Sequence, residues 1–463
     1  MNSGCIKPKQ KIVRGDDTKI KVIIVGAGLG GLGAAIATLL AGHDVLVLEG
    51  ASEIAEVGAG IQILPNSSRV LQQWGMLPSL SRYATRPKCV NMLTWKGSLI
   101  SSLDFASSAA QYPGTFYWDF HRANLHTCLL ERAVELGAEL RCKARVVDVR
   151  VDSDQDRGER RGHGSGDKDR DGATVVLENG EEVWGDLVVG ADGINSRLRE
   201  LLLKRPDPPT PTGDLAYRLL LSTADMLKDP DLAELVTNPQ VNYWLGPDAH
   251  AVNYVLKGGE LFNMVLLVPD DMPADGASTL EGSVVEMRKL YEGWDPRIGK
   301  LLGLCESVYK WRLCIRGPLE SWSHRSGAWT MLGDAVHATL PYLASGAGMS
   351  LEDGAVLGEC LSRIQSTSPS SKRHALKIYE ECRKSRTEMV VQRGNLQQYL
   401  YHLHDGPEQE ERDRMMRMVP TPKGEALAWR DPELAPRLLG YCAVRDVDEH
   451  WTREEKDAVQ CRL

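Results

Sequence analysis

No run of about 18 consecutive apolar residues occurs in the 463-residue chain, which excludes a membrane-spanning helix. Cysteine occurs ten times but never as C-x-x-C, and the opening MNSGCIKPKQKIVRGDDTK has no apolar signal core. Free intracellular thiols, a cytoplasmic location and a loose polar extension over residues 1–19 are therefore expected. A basic excess is missing too. Lys and Arg number 55 against 63 Asp and Glu, a net charge of −8, which argues against a nucleic-acid or anionic-membrane surface. No cluster of His, Cys and acids has metal-ligand spacing, so no metal is expected. His402 and His404 read as surface residues for that reason. The rest is ordinary for a globular protein, with 42% hydrophobic and 25% charged residues, and the length calls for two packed domains rather than one core.

What is present is concentrated in KVIIVGAGLGGLGAAIATLLAGHDVLVLE, from Lys21 to Glu49. Val22 to Val25 is a short β-branched run suited to a strand buried on both faces of a parallel sheet. Gly26, Gly28 and Gly31 follow in G-x-G-x-x-G spacing, which serves a tight turn, close backbone approach to a pyrophosphate and close helix packing. Ala34 to Ala41 reads as a helix with its amino end at the anion, and Val45 to Leu48 as a second strand. Glu49 ends that strand about twenty residues after the glycines, where an acid accepts ribose hydroxyls. The order of all five parts predicts an adenine dinucleotide site, FAD or NAD rather than NADP.

Further along, Gly58 to Gln62 is either an ordinary turn or a place where backbone passes close to a flat ring. A helix is expected from Ser67 to Trp74, strand material from Lys88 to Phe105, and an amphipathic helix from His121 to Leu136. Arg122 at that helix start is a solvated charge or a cofactor contact. Arg145 to Val151 and Ala173 to Leu177 read as hairpin strands flanking a charged, glycine-rich loop at about 152–172 that is expected to be disordered. Leu187 to Gly193 is a buried strand ending in an acid and a glycine, with Asp192 an N-cap or something more. Pro206 to Pro211 marks a boundary, followed by strand-like runs at 215–222, 241–245, 251–255 and 262–268. Trp329 to Ala335 repeats the strand-to-Gly-Asp pattern. A glycine-rich loop, Pro341 to Gly348, then runs into a helix over Met349 to Ile364, offering free amides and a positive dipole end. A long helix is expected from His374 to His404. The expected units are 1–19, 20–205, 206–324, 325–404 and an unassigned 405–463.

Three of these motifs in this order, GAGLGG at 26–31, GADG at 190–193 and GDA at 333–335, resemble the group A FAD-dependent aromatic monooxygenases of the p-hydroxybenzoate hydroxylase fold. The resemblance is closer to the salicylate and 6-hydroxynicotinate hydroxylase branch and its fungal biosynthetic relatives, and it runs from about Lys19 to about Tyr401. It implies an α/β fold, with a discontinuous Rossmann-like FAD-binding domain, a smaller antiparallel-sheet α+β substrate domain and a helical C-terminal region. Gly26, Gly28, Gly31 and Glu49 would then hold the ADP half of FAD. Gly60 would pass close to the ring, and Arg122 and Asp334 would contact the ribityl region. Asp192 and Gly193 match the motif tied to FAD and NAD(P)H. Pro341, Gly346, Ala347, Gly348 and Met349 match the loop along the isoalloxazine. No second dinucleotide fingerprint is present, as expected if NAD(P)H binds only transiently.

The resemblance implies that NAD(P)H reduces FAD and that O2 then gives a flavin C4a-hydroperoxide, whose distal oxygen is transferred to an electron-rich aromatic or indole-type acceptor. On the substrate side it points to Arg218, His250 and Tyr254, with a salt-bridged strand arginine and a packed sheet face as the alternatives. His337 would lie near the flavin or be structural. The PYLASGAGMSLEDG loop points to fungal secondary metabolism. Salicylate-type catabolism, epoxidation of an alkene or indole double bond, and a flavoprotein without enzymatic activity are the competing readings. The W-x-W-x-I-P signature of flavin halogenases is absent. Cys461-Arg462-Leu463 resembles a relaxed S-K-L peroxisomal address, a match that arises easily by chance.

Overall fold

The computed structural model describes residues 6–54, 59–151, 171–274 and 276–460. Gly58, the expected loop up to residue 170 and the Cys461-Arg462-Leu463 terminus lie outside the described residues.

The β-branched runs form a five-stranded, all-parallel sheet in the order Trp329–Met331, Leu187–Gly190, Lys21–Val25, Asp44–Leu48, Glu139–Arg141. Val22 to Val25, Val45 to Leu48 and Leu187 to Gly190 are buried throughout, as a sheet covered on both faces requires. Because every strand runs the same way, the segments that follow them emerge at one edge. Gly26 to Gly28, Glu49, Gly193 and Asp334 therefore share the carboxyl edge of the sheet, where open α/β sheets bind ligands.

Helix Leu29–Leu40 packs against helix Gly346–Ser362, although they are more than 300 positions apart. Glycine makes this contact close. A Cβ on Gly354 would lie 2.7 Å from the Ala34 nitrogen, and one on Gly358 would lie 2.6 Å from the Ala37 Cβ. The contact brings two distant helix amino ends to the same place.

The second unit is an eight-stranded sheet in the order Thr279–Gly282, Val308–Ile315, Thr210–Ser222, Leu261–Pro269, Ala249–Leu256, Val241–Gly246, Cys89–Thr94, Leu99–Asp104. Period-2 alternation divides its faces. Tyr217, Ala251 and Val255 pack into one apolar cluster with Leu232, Met287 and Ile298 of covering helices. Ala216, Val252 and Tyr254 belong to another cluster that faces Leu340, Tyr342 and the C-terminal Trp429. The hairpin Cys89–Thr94 and Leu99–Asp104 comes from the expected first unit, yet it joins this sheet through a parallel ladder to Val241–Gly246. Val308–Ile315 is a strand that none of the expected strand-like runs covers.

One expectation about the ends is corrected, and the unassigned end gains structure. Residues 6–18 are not a loose extension. Lys9 pairs with Glu359, and the Arg14 guanidinium donates to the Ala41, Leu361, Ser362 and Ile364 carbonyls, closing the carboxyl ends of both packed helices. After Asp405 the chain forms helices Pro407–Arg417, Leu434–Leu439 and Ala443–Gln460, and Ala443 and Val447 enter the first core. The long helix Pro369–Tyr401 contributes Tyr379 to the core beside the parallel sheet and Tyr401 to the cluster beside the larger one. Seven described cysteines are free thiols, whereas Cys442 is disulfide-bonded, against the expectation of free thiols throughout.

Candidate active site

Between the two sheets lies a cavity of about 320 Å³. Of the residues expected in a site, Gly28, Gly60, Arg122, Gly193, Arg218, His250, Tyr254, Asp334, Pro341, Gly346 and Ala347 line it. Its dinucleotide end is built from backbone. The N-cap residues Gly28 and Ser345 provide no side-chain cap for their helices, so amide N–H groups at both amino ends are left for a ligand. A Cβ on Gly28 would meet nothing within 4 Å, because the space beside it is the cavity itself. Asp334 follows Gly333, whose φ of +63° favours glycine, and its side chain is exposed to this space. An uncapped pair of amino ends, a cradle that a Cβ would fill, an acid and Arg122 together fit an anionic dinucleotide with a polyhydroxyl segment.

Gly26, Gly31, Glu49, Asp192, Gly348 and Met349 are not in the cavity wall. Gly26 and Gly31 allow chain crossings: a Cβ on Gly31 would lie 2.0 Å from the Gly26 oxygen, and one on Gly26 would lie 2.4 Å from the Ala191 oxygen. Glu49 accepts the Ala27 N–H at 2.9 Å and the Ala51 N–H at 2.8 Å, bracing the glycine turn. The Asp192 carboxylate is turned inward and accepts from Ser196 Oγ at 2.5 Å and the Leu198 N–H at 3.0 Å. The described partners of that side chain are these helix-end groups, and burial raises its pKa. Gly348 faces Ser67, and Met349 is buried in the cluster beside the larger sheet.

The opposite wall is the larger sheet. Arg218, His250 and Tyr254 share its cavity-facing side with Ala216, Val252, Val265 and Leu267. In register, Arg218 lies opposite Val265, and His250 opposite Leu267. Arg218 Nε has no hydrogen-bond partner, and its guanidinium sits 5.3 Å from the Trp311 ring centroid. Burial lowers its pKa and nearby Arg122 lowers it further, so the cavity holds two mutually repelling cations. No described carboxylate pairs with Arg218, which leaves the salt-bridged alternative without a partner. Gly60 packs against this wall. Its N–H donates to Asn263 Oδ1 at 2.8 Å, and a Cβ there would lie 2.4 Å from the Tyr254 ring. Burial raises the Tyr254 phenol well above the ordinary tyrosine value.

One supporting residue, His126, carried no readable signal. His126 Nε2 bonds the Ala27 carbonyl at 2.7 Å, one helical turn after Arg122. His337 is structural: its Nε2 meets Asp353 Oδ2 at 2.5 Å, and Arg383 Nε donates to Asp353 Oδ1 at 2.7 Å. The reading of His402 is corrected. It is mostly buried and places Nε2 2.7 Å from His250 Nδ1, because the long helix ends against the larger sheet. His404 is exposed, beside Asp248.

The chain is similar to known proteins over most of its length. The model of the FAD binding domain family matches residues 19–394. The FAD-dependent monooxygenase OpS4 of Beauveria bassiana is 40% identical over 437 residues, covering 93% of this chain and 96% of that protein. The 3-amino-4-hydroxybenzoate 2-monooxygenase PtmB3 of Streptomyces platensis is 32% identical, covering 86% of this chain and 92% of its own. In fold, a salicylate hydroxylase substrate complex superposes with a TM-score of 0.75 at 22% identity, over 94% of this chain and 98% of that one.

Proposed function

The chain belongs to the FAD binding domain family and is an FAD-dependent monooxygenase, and from that premise we propose that it uses NAD(P)H and O2 to insert one oxygen atom into an electron-rich aromatic or indole-type small molecule. Fungal relatives such as OpS4 support a place in fungal secondary metabolism. The observation that carries the reading is one cavity with two helix amino ends on one wall and Arg218, His250 and Tyr254 on the other.

Bound FAD would supply the redox chemistry, hydride acceptance from the nicotinamide and activation of oxygen. The chain's own residues bind, orient and shield. Amides at Gly28 to Gly30 and the Arg122 guanidinium would hold the phosphates, and Asp334 would accept ribityl hydroxyls. Amides at Gly346 and Ala347, at the positive end of their helix, would favour negative charge on the reduced ring system. Arg218 would hold an anionic or hydrogen-bond-accepting group of the acceptor over the ring. The apolar part of the same wall, Ala216, Val252, Val265 and Leu267, excludes water from the reacting atoms.

The test is NADH and NADPH oxidation by the purified yellow protein across salicylate, simple phenols and indoles, with product and peroxide both quantified. Stimulated oxidation with product is expected. Oxidation that no acceptor stimulates and that ends only in peroxide would refute the reading.

A further inference from the structure

Away from the cofactor cavity, one group of side chains has the composition of a metal site. Asp446 and His450 stand one turn apart on helix Ala443–Gln460, and Cys382 comes to them from the long helix Pro369–Tyr401. One ligand atom from each lies within 4.8 Å of the other two. Among the described residues, no other group of three His, Cys, Asp or Glu side chains converges in this way. Cys382 is a buried free thiol, whereas His450 and Asp446 are 19% and 20% exposed. All three border a surface hollow of about 500 Å³, so an ion can reach them from solvent.

The distances suit a small tetrahedral ion. His450 Nδ1 is 3.3 Å from Asp446 Oδ1. Two ligand atoms at about 2.0–2.1 Å from a tetrahedral centre stand about 3.3–3.4 Å apart, so this pair needs little movement to share one. The carboxylate is also held from behind. Tyr441 donates its hydroxyl to Asp446 Oδ2 at 2.7 Å, which leaves Oδ1 toward His450. A sulfur and an imidazole nitrogen beside one carboxylate oxygen suit Zn²⁺ rather than Ca²⁺ or Mg²⁺, which prefer oxygen throughout. We infer that Cys382, Asp446 and His450 form a binding site for a divalent cation of the zinc class, with water in the fourth position, and that the ion ties the C-terminal helix to the long one.

Uptake involves no redox change. Without the ion, the Cys382 thiol is hydrogen-bonded to the Asp446 carboxylate, and His450 Nδ1 lies 2.9 Å from the Asp446 carbonyl. When the ion binds, the S–H bond breaks, a metal–sulfur bond forms and the proton leaves for solvent. The imidazole stays neutral, carrying its proton on Nε2 while Nδ1 binds the ion. Thiolate and carboxylate then balance the ion's two positive charges. Of the fixed cations in the wall of the hollow, Arg386 is paired with Glu352, and Arg437 and Arg445 are matched in number by Glu381 and Glu449.

The experiment uses the FAD-loaded full chain, stripped of metal by dialysis against a chelator, with Zn²⁺ and Co²⁺ as probes. Equilibrium dialysis should return one Zn²⁺ per chain. Co²⁺ difference spectra should show a thiolate charge-transfer band and tetrahedral d–d bands in the red, where oxidised flavin is transparent. Cys382→Ser should lose the charge-transfer band. His450→Ala, at a part-exposed side chain, should lose stoichiometric uptake while keeping FAD. Tyr441→Phe keeps the ring against Arg386 and should weaken Zn²⁺ binding about 10- to 100-fold. With Zn²⁺ about 100-fold above its Kd, the folded-to-unfolded ratio should rise about 100-fold, read as a higher melting temperature in wild type and not in His450→Ala. No stoichiometric uptake by wild type would overturn the inference. Uptake and spectra left unchanged by Cys382→Ser and His450→Ala would overturn it too, leaving a hydrogen-bonded triplet. If Cys382→Ser does not fold, His450→Ala decides by itself.

Discussion

Gly28→Ala separates cofactor binding from folding in a way that its neighbours do not. Gly28 has φ −71° and ψ −178°, a conformation open to any residue, and its Cβ would meet no protein atom within 4 Å. The apoprotein should therefore fold normally, with stability unchanged or raised by about 0.5 kcal/mol through the stiffer unfolded chain. The new methyl would stand where a phosphate must approach the amides of the helix Leu29–Leu40. A hydrogen bond to a charged group contributes about 1.5–3 kcal/mol, so losing one should weaken FAD roughly 10- to 100-fold. Titration of apoprotein with FAD, followed by flavin fluorescence, measures the Kd, and thermal unfolding of the same apoprotein measures the fold. Gly31→Ala is the contrast: its Cβ would lie 2.0 Å from the Gly26 oxygen, so fold and FAD should be lost together. A Gly28→Ala enzyme with the wild-type Kd would show that the phosphates do not lie at this helix end.

Arg14→Ala should lower the melting temperature, at a cost of about 1–2 kcal/mol, by uncovering the carbonyls at two helix carboxyl ends; a Kd for FAD that rises in parallel would contradict a purely remote effect. Asp353→Asn should cost about 3–5 kcal/mol in urea unfolding, because it leaves the fully buried Arg383 short of a counter-charge, and a loss under about 1 kcal/mol would refute that accounting. Burial raises the Glu425 carboxyl to about 7 from an ordinary 4.5, and one oxygen has no hydrogen-bond partner. Its stabilising contribution is complete below the ordinary value and is lost as pH rises through about 7. Glu425→Gln should then match wild type near pH 4.5 and exceed it by up to about 3 kcal/mol above pH 8, and urea midpoints at the two pH values would show the divergence.

The parts of the fold legible in the sequence are those specified by local pattern. Val22 to Val25 and Leu187 to Gly190 are β-branched runs bounded by glycine, and both became central strands. His250 and Tyr254 were placed on one side by strand periodicity, and both line the cavity. Legibility failed where the determining partner is distant in sequence. Cys89–Thr94 reads as a hairpin strand wherever it goes, and only its ladder to Val241–Gly246 assigns it to the larger sheet. His402 lacks a neighbour at ligand spacing, so spacing made it a surface residue; the partner that buries it, His250, lies 152 positions earlier. Asp192 shows a different limit, because a motif match does not say which way a carboxylate points, and here Ser196 and Leu198 take it.

The C-terminal segment had no reading for a related reason: its hold on Arg386 is made in part by the Arg437 and Leu438 carbonyls, and backbone groups carry no residue identity. Glu352, Asp353 and Arg383 are fully buried, with His337 and Arg386 nearly so, and taking such groups from water costs several kcal/mol each. An apolar cluster of equal volume would serve stability at least as well, so the network is better explained by the geometry it imposes. Asp353 Oδ2 receives both the Gly333 N–H at 2.9 Å and His337 Nε2, which ties the loop bearing Asp334 to the helix whose amino end lines the cavity. Arg383 joins that helix to the long one through Asp353 and the Met349 carbonyl. Arg386 grips Glu352 at 2.8 Å on one side and the Arg437 and Leu438 carbonyls on the other, with the Tyr441 ring 4.0 Å from its guanidinium. Four chain segments are thereby held in one frame around the cofactor cavity, and the C-terminal residues belong to that frame rather than forming a tail beside it.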